Sequence, residues 1–409
     1  MKRKPKLLSI YTGAGGLDYG FEAAGFSTSV AVEMDSHCCQ TLRHNRRWPV
    51  IEANIHDVAT TEILETANLE KAEADVLIGG PPCQPFSKSG YWAKGDTSRL
   101  DDPRAGTLAA YLKLVEEALP RVFVLENVEG LSYAGKAEGL DFLIKHIRRL
   151  NRRAGTRYKP FFRVLRAADY GVPQLRARFF MIASRDGTEF FFPSPTHRPA
   201  SIDGQQELLS ELPIYRTAWD ALADVGPLEG EDLQLRGKWA SLLSSIPEGK
   251  NYLFHTDRGG GLSLFGWRRR YWSFLLKLAK DKPSWTIQAQ PGPAIGPFHW
   301  ENRRLGMREL CRLQTFPDDV EVLGGLGVVQ RQLGNAVPSL LAEVLGREIL
   351  HQLLGWRRSF SPLKLLPIDH SPVPGPDLTS PVAQHYLSLV GDHSSHPGTG
   401  KGYRAQARA

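Results

Sequence analysis

Apolar residues in the first third of the chain fall into two alternating patterns. Leu7-Leu8-Ser9-Ile10-Tyr11, Ser29-Val30-Ala31-Val32-Glu33, Asp75-Val76-Leu77-Ile78 and Val122-Phe123-Val124-Leu125 are short, mostly apolar runs, as expected of strands buried on both faces. Between them the spacing turns helical. Leu17, Phe21 and Ala24 share one face before Gly25, Asp35 can cap a helix carrying Cys38, Cys39 and Leu42, and Thr107 to Leu119 repeats with a helical period. This βαβ rhythm predicts an α/β fold with a mainly parallel sheet covered by helices. Phe161 to Leu165 and Phe179 to Ala183 read as two further strands, connected through a turn at Tyr170-Gly171-Val172-Pro173-Gln174.

From about residue 186 the rhythm fades into scattered Trp, Gly and Arg, and it returns with helical patterns at Arg308 to Leu313 and Ser339 to Leu354. The expected organisation is a first unit over 1–185, a smaller irregular unit over 186–305, a return to the first unit over 306–361, and a tail over 362–409. The tail is rich in Pro, Ser, Gly and His and holds seven of the chain's 28 prolines, which predicts disorder and an activity indifferent to its deletion. No run of about 18 apolar residues argues for a membrane span. The basic start Met1-Lys2-Arg3-Lys4-Pro5-Lys6 meets too short an apolar stretch to read as a signal peptide.

Charge changes the picture a little: 51 Lys and Arg against 44 Asp and Glu leave +7, which suits a polyanionic partner. The four cysteines, Cys38, Cys39, Cys83 and Cys311, show no C-x-x-C spacing, so neither a structural zinc site nor a disulfide scaffold is expected. A reducing cytoplasm fits that usage.

Candidate chemistry follows the strand ends, the edge at which open α/β sheets bind ligands. Tyr11-Thr12-Gly13-Ala14-Gly15-Gly16 lies between a strand and a helix, and its glycines permit a tight turn and a close approach to a ligand. Glu33 ends the next strand, where an acid binds ribose hydroxyls; the spacing does not separate NAD from S-adenosylmethionine. Gly79-Gly80-Pro81-Pro82-Cys83-Gln84-Pro85-Phe86-Ser87 presents a thiol on a loop stiffened by proline, which favours a nucleophile over a packed core cysteine. Glu126 at the mouth of a buried strand is placed for a raised pKa. Arg176 and Arg178 alternate, so an extended chain would turn both to one side, toward anion or carbonyl contacts or toward an exposed basic edge.

In order along the chain, these segments, with Arg308-Glu309-Leu310-Cys311-Arg312-Leu313-Gln314-Thr315-Phe316-Pro317 and Gly334-Asn335-Ala336-Val337, resemble the bacterial DNA (cytosine-5)-methyltransferases of restriction–modification type. The resemblance runs from about Leu7 to Leu354. It implies a Rossmann-like fold that uses S-adenosylmethionine, releases S-adenosylhomocysteine and needs no metal. It implies Cys83 as the nucleophile toward C6 of a cytosine flipped out of duplex DNA, Glu126 at N3, and Arg178 at the O2 side. Arg176 would support the loop or reach a phosphate, and Gln84 and Ser87 would belong to the loop closing over the base. Tyr11, Gly13, Gly15, Gly16, Glu33, Met34, Asn54, Ile55, Pro82 and Asn335 would line the cofactor. Tyr11 stands where relatives often carry Phe, and Asn54 where they usually carry Asp.

The same resemblance makes 186–305 the target-recognition domain, with its Trp267-Arg268-Arg269-Arg270-Tyr271-Trp272 stretch either facing a DNA groove or divided between core and solvent. Thr286-Ile287-Gln288-Ala289 and Arg308-Glu309 look like hinge or scaffold segments at its C-terminal border. The implied partners are double-stranded DNA and a separate cognate endonuclease, for a monomer without a membrane. Two alternatives stand beside this reading: an RNA cytosine methyltransferase on the same scaffold, and a catalytically silent DNA-binding relative. An NAD-dependent dehydrogenase would leave Pro82-Cys83 and Glu126 unexplained.

Overall fold

The computed structural model of the protein describes residues 3–82, 106–132, 138–200, 211–266 and 272–391. Among them, seven strands form one sheet in the order β3-β2-β1-β4-β5-β8-β6. These are β1 (Lys6–Ile10), β2 (Ser27–Glu33), β3 (Val50–Glu52), β4 (Val76–Gly79), β5 (Val122–Val128), β6 (Phe161–Arg166) and β8 (Ala177–Ser184). β1 to β5 run parallel, whereas β8 is antiparallel to both β5 and β6. The strand order reverses between β1 and β4, which opens a crevice at their carboxyl ends.

The apolar runs are continuous because both sheet faces are covered. Leu8, Ile10, Leu77, Phe123 and Leu125 enter a core roofed by α4 (Gly106–Ala118) and α5 (Glu138–Ala154). Their neighbours Leu7, Val76, Ile78, Val122 and Val124 enter the opposite core with α1 (Gly16–Ala24) and α9 (Ser339–Gln352). Helix α9 thus returns from far along the chain to complete the first unit. It packs closely on α1: a Cβ at Gly20 would come within 2.2 Å of the Ser339 carbonyl oxygen.

One expected boundary moves in a way that matters for the site. The apolar run ends at Leu125, where the parallel partner β4 also ends at Gly79. The antiparallel partner β8 carries β5 three residues further, pairing Glu126 with Phe180, Asn127 with Phe179 and Val128 with Arg178. Glu126 is therefore inside the strand, not beyond it.

Residues 211–305 are irregular, as their sequence suggests, with a short helix α6 (Ala218–Leu222) and several single turns. Leu235, Leu242, Ile246, Tyr252, Leu275 and Phe298 form a further core, which Tyr386 from the tail joins. Another cluster, including Leu222, Leu278 and Trp300, is shared with α7 (Met307–Leu313) and α8 (Leu326–Asn335). Glu309 is fully buried and scaffolding: Arg303 grips both its oxygens at 2.8 and 2.7 Å, and Gly306 N donates to it at 2.7 Å. Among the described residues, no helix is long and apolar enough to cross a membrane.

The expectation of a disordered tail fails for residues 362–391. Leu363, Leu365 and Leu366 pack on the α1–α9 side of the sheet. The Lys364 and Leu365 amides donate to the fully buried Glu343 at 2.9 and 3.0 Å. Further on, His370 N donates to Asp220 at 3.0 Å, and Asp377 pairs with Lys280 at 2.7 Å. Tyr386 is buried and stacks on Trp239 with the rings 9° from parallel. The strap is held by a few widely spaced anchors, and prolines suit it because the segment needs no ladder of its own backbone hydrogen bonds. Truncation after Ser361 is accordingly expected to destabilise the protein by about 3–5 kcal/mol, the scale for losing one large buried aromatic side chain. Thermal unfolding of the truncated chain at an unchanged midpoint would show that these contacts hold nothing.

Candidate active site

The carboxyl edge of the sheet gathers the residues singled out from sequence. After β1 the chain turns sharply: Tyr11, Gly13 and Gly15 all have positive φ (53°, 57° and 88°). Only a residue without a Cβ adopts such angles cheaply, so Gly13 and Gly15 are required by the turn itself. Among the described residues nothing lies within 4 Å of a Cβ built on Gly13, so they leave that side of the turn open to a ligand. Gly16 has a different reason. A Cβ there would sit 2.3 Å from the Val337 carbonyl oxygen, so its absence admits the 334–337 segment, not a ligand. That packing brings Asn335, exposed at the end of α8, beside the glycine turn.

Glu33 ends β2 facing the same turn. One carboxylate oxygen accepts from Gly13 N at 2.7 Å, the other from Met34 N at 2.8 Å and Asp35 N at 2.9 Å. Three backbone donors fix its orientation, and a carboxylate's four lone-pair sites leave one for a hydroxyl donor. Met34 is 65% exposed. Asn54 caps the single turn Ile55–Asp57, its side-chain oxygen accepting from His56 N at 3.2 Å, which leaves the oxygen's other lone pair and the amide N–H groups. Tyr11 is half-buried and its hydroxyl donates to Thr107 O at 3.1 Å, tying the turn to the start of α4. Burial, and then Glu33, push the Tyr11 pKa up, so it remains a neutral phenol.

The second group lies where β4, β5 and β8 meet. A Cβ on Gly80 would fall 2.7 Å from Glu126 Oε2, so the backbone after β4 passes directly over the Glu126 carboxyl. Asn127 Nδ2 donates to Pro81 O at 3.0 Å, and the Thr107 hydroxyl to Pro82 O at 3.0 Å, pinning the chain as it enters Cys83. Arg178 Nε lies 2.9 Å from Glu126 Oε1. Burial raises the Glu126 pKa against the opposing pull of Arg178 and Arg176. Burial lowers both arginine pKa values, yet a guanidinium stays charged.

The two arginines do not share one extended strand. The chain bends at Arg176, between β7 (Gln174–Leu175), which pairs with β9 (Ser284–Trp285), and β8 in the main sheet. Arg176 is fully buried and donates to Ile287 O at 3.3 Å and Gly334 O at 2.8 Å. A side chain enclosed in this way does not reach a phosphate, one of the two roles expected of it. Cys83, Gln84 and Ser87 lie outside the described residues, as do Trp267 and Arg268 to Arg270.

The sequence reading gives no role to Asn127 or Gln174, both of which order the site. Gln174 is buried and bridges three segments, donating to Leu313 O at 3.1 Å and accepting from Ile287 N at 3.2 Å. It also misses Asp18, buried below the glycine turn with Ser9 Oγ at 3.0 Å, whose pKa burial raises to about 7. A polar residue at an otherwise apolar position is the available signal for each.

A parallel sheet whose order reverses beside a glycine turn, with an acid on the next strand and a buried Glu126 paired with Arg178 under the Gly80 backbone, defines a Rossmann-like domain that modifies a substrate with a nucleotide-type cofactor. The chain belongs to the C-5 cytosine-specific DNA methylase family, whose profile matches residues 6–351. It is a sequence-specific DNA (cytosine-5)-methyltransferase of restriction–modification type, dependent on S-adenosylmethionine. It is 40% identical over 378 residues to the type II methyltransferase M.SacI of Streptomyces achromogenes, covering 86% of this chain and 94% of that one. With the type II methyltransferase M.AquIA of Picosynechococcus it shares 44% identity over 226 residues, 54% of this chain and 89% of that one. The fold is similar to that of the Schizosaccharomyces pombe Dnmt2 methyltransferase (TM-score 0.54, 16% identity, 86% of this chain and all of that one).

Proposed function

We propose that the enzyme methylates a cytosine flipped out of duplex DNA through a covalent adduct between Cys83 and C6. The observation that carries this reading is the buried Glu126–Arg178 pair beneath Gly80, at the point where the chain enters Cys83. Cytosine C5 is a poor nucleophile. Addition of the Cys83 thiolate to C6 breaks the C5=C6 double bond, and the electron pair is relayed to C5 as an enamine while Glu126 delivers its proton to N3. A carboxyl whose pKa is raised by burial is suited to that task. Arg178 hydrogen-bonds the O2 side and holds Glu126, and Arg176 positions this strand from behind. Bound S-adenosylmethionine supplies the methyl group that C5 accepts, leaving as S-adenosylhomocysteine. A base, in this reading a water molecule, then removes the C5 proton, and elimination of the Cys83 thiolate restores the ring as N3 returns its proton to Glu126.

The residues around the glycine turn suit that cofactor. Glu33, preset by three amides, accepts a ribose hydroxyl at its remaining lone pair. Tyr11 and Met34 supply apolar surface, Gly13 and Gly15 the open turn, and Asn54 and Ile55 the adenine edge. Pro82 and Asn335 border the methionine end, and Gly16 acts by seating the Asn335 segment. Gln84 and Ser87 close over the extruded base. The 186–305 region reads the target sequence. The protein acts as a monomer in the cytoplasm, without a metal, beside a separate endonuclease.

Bisulfite sequencing of DNA from cells expressing the protein tests the reading. The expected result is protection of cytosines in a single sequence context; complete conversion at every context would refute it.

A further inference from the structure

The small sheet of β7 and β9 stands outside the carboxyl edge of the main sheet, because β8 begins at that edge and β7 precedes it by one residue. Its outer face is apolar and exposed. Leu175 and Trp285 are ladder partners, 39% and 36% exposed, while Gln174 and Ser284 on the inner face are fully buried. Trp272, 49% exposed, meets the Trp285 indole edge to face with ring centroids 5.5 Å apart. These indoles are not on slack chain. Asn251 Nδ2, buried, holds the Trp272 carbonyl at 2.7 Å, the Thr286 hydroxyl holds the Leu175 carbonyl at 2.7 Å, and Gln288 Nε2 reaches Ser273 Oγ at 3.0 Å. Rigid backbone carrying exposed tryptophans is the construction of a contact surface.

Its position selects the occupant. Leu175 is three residues from Arg178, and β7 leads directly into β8, so the patch lies at the same carboxyl edge of the sheet as Glu126. Extruding a base uncovers the apolar faces of its former neighbours, and indoles stack on such faces regardless of sequence. We propose that Trp285 and Trp272, backed by Leu175, pack against the duplex beside the extruded cytosine and stabilise the unstacked state. This rests on the methyltransferase reading above, and adds to it a surface that positions DNA.

The test uses the full chain and a duplex containing the context found by bisulfite sequencing, with 2-aminopurine next to the target cytosine. Trp285→Ala is expected to weaken binding of this duplex about tenfold and to reduce the rise in 2-aminopurine fluorescence. Its thermal midpoint and S-adenosylmethionine affinity should match those of the parent, and Trp285→Phe should recover most of the fluorescence change. Unchanged affinity and fluorescence in both Trp285→Ala and Trp272→Ala would overturn the proposal, as would a parent protein that is dimeric and becomes monomeric on substitution, since the patch would then be covered by a second copy. Methylation by the parent is scored separately, so a neutral Trp285→Ala in an active enzyme removes this surface alone, whereas an inactive parent removes the reading beneath it.

Discussion

Cys83→Ala is expected to lower methyl transfer by roughly 10⁴–10⁶-fold, the scale on which loss of a covalent nucleophile acts, while DNA binding survives. No other thiol can substitute. Cys38, Cys39 and Cys311 all have pKa values raised chiefly by burial, to about 12 for Cys39 and Cys311, so near neutral pH they remain thiols. The matching positive experiment is a duplex with 5-fluorocytosine at the target. Fluorine at C5 does not leave as a cation, so elimination stalls and the adduct should accumulate. Mass spectrometry should find the parent protein linked to DNA through the peptide containing Cys83, and the alanine variant unlinked. Normal turnover by Cys83→Ala, or an adduct mapped to another cysteine, would end the proposed mechanism.

Most of the main sheet is legible in the chain because its strands are buried on both faces and so appear as unbroken apolar runs. What pairing adds is less visible. Nothing in Val122 to Leu125 indicates that an antiparallel neighbour carries the strand on through Glu126 to Val128, and that extension sets the carboxyl against Arg178. The arginine pair shows the converse. Alternation places Arg176 and Arg178 on one side only if the strand is continuous, and the bend at Arg176 sends its guanidinium to Ile287 and Gly334 instead. Gly16 is read from sequence as ligand space and is occupied by the chain's own backbone, a contact between residues 321 positions apart that no local pattern encodes. Composition misreads the 362–391 strap for a related reason. Prolines and serines lower the local signal, while the anchors Leu365 and Tyr386 are too far apart to register as a period.

Glu126→Gln separates holding the base from giving it a proton. The glutamine oxygen can still accept from Arg178 Nε, so the buried guanidinium keeps a partner and the strand pairing is untouched. The amide has no proton to deliver to N3. The expected loss in kcat is about 10²–10⁴-fold, the range for general acid catalysis, with DNA affinity changed far less. The pH profile supplies a second readout. Burial raises the Glu126 pKa, so the parent's protonated fraction, and with it the rate, declines as pH rises through that value. The variant should lack this decline. Stability runs the same way for the parent. A carboxyl with a raised folded-state pKa contributes most below its unfolded value, and that contribution is lost as pH climbs through the folded one. The stability of Glu126→Gln relative to the parent should therefore improve with pH even as its activity stays low. A variant with kcat within threefold of the parent and the same alkaline limb would show that the proton at N3 comes from elsewhere, and that burial of Glu126 serves only to hold Arg178.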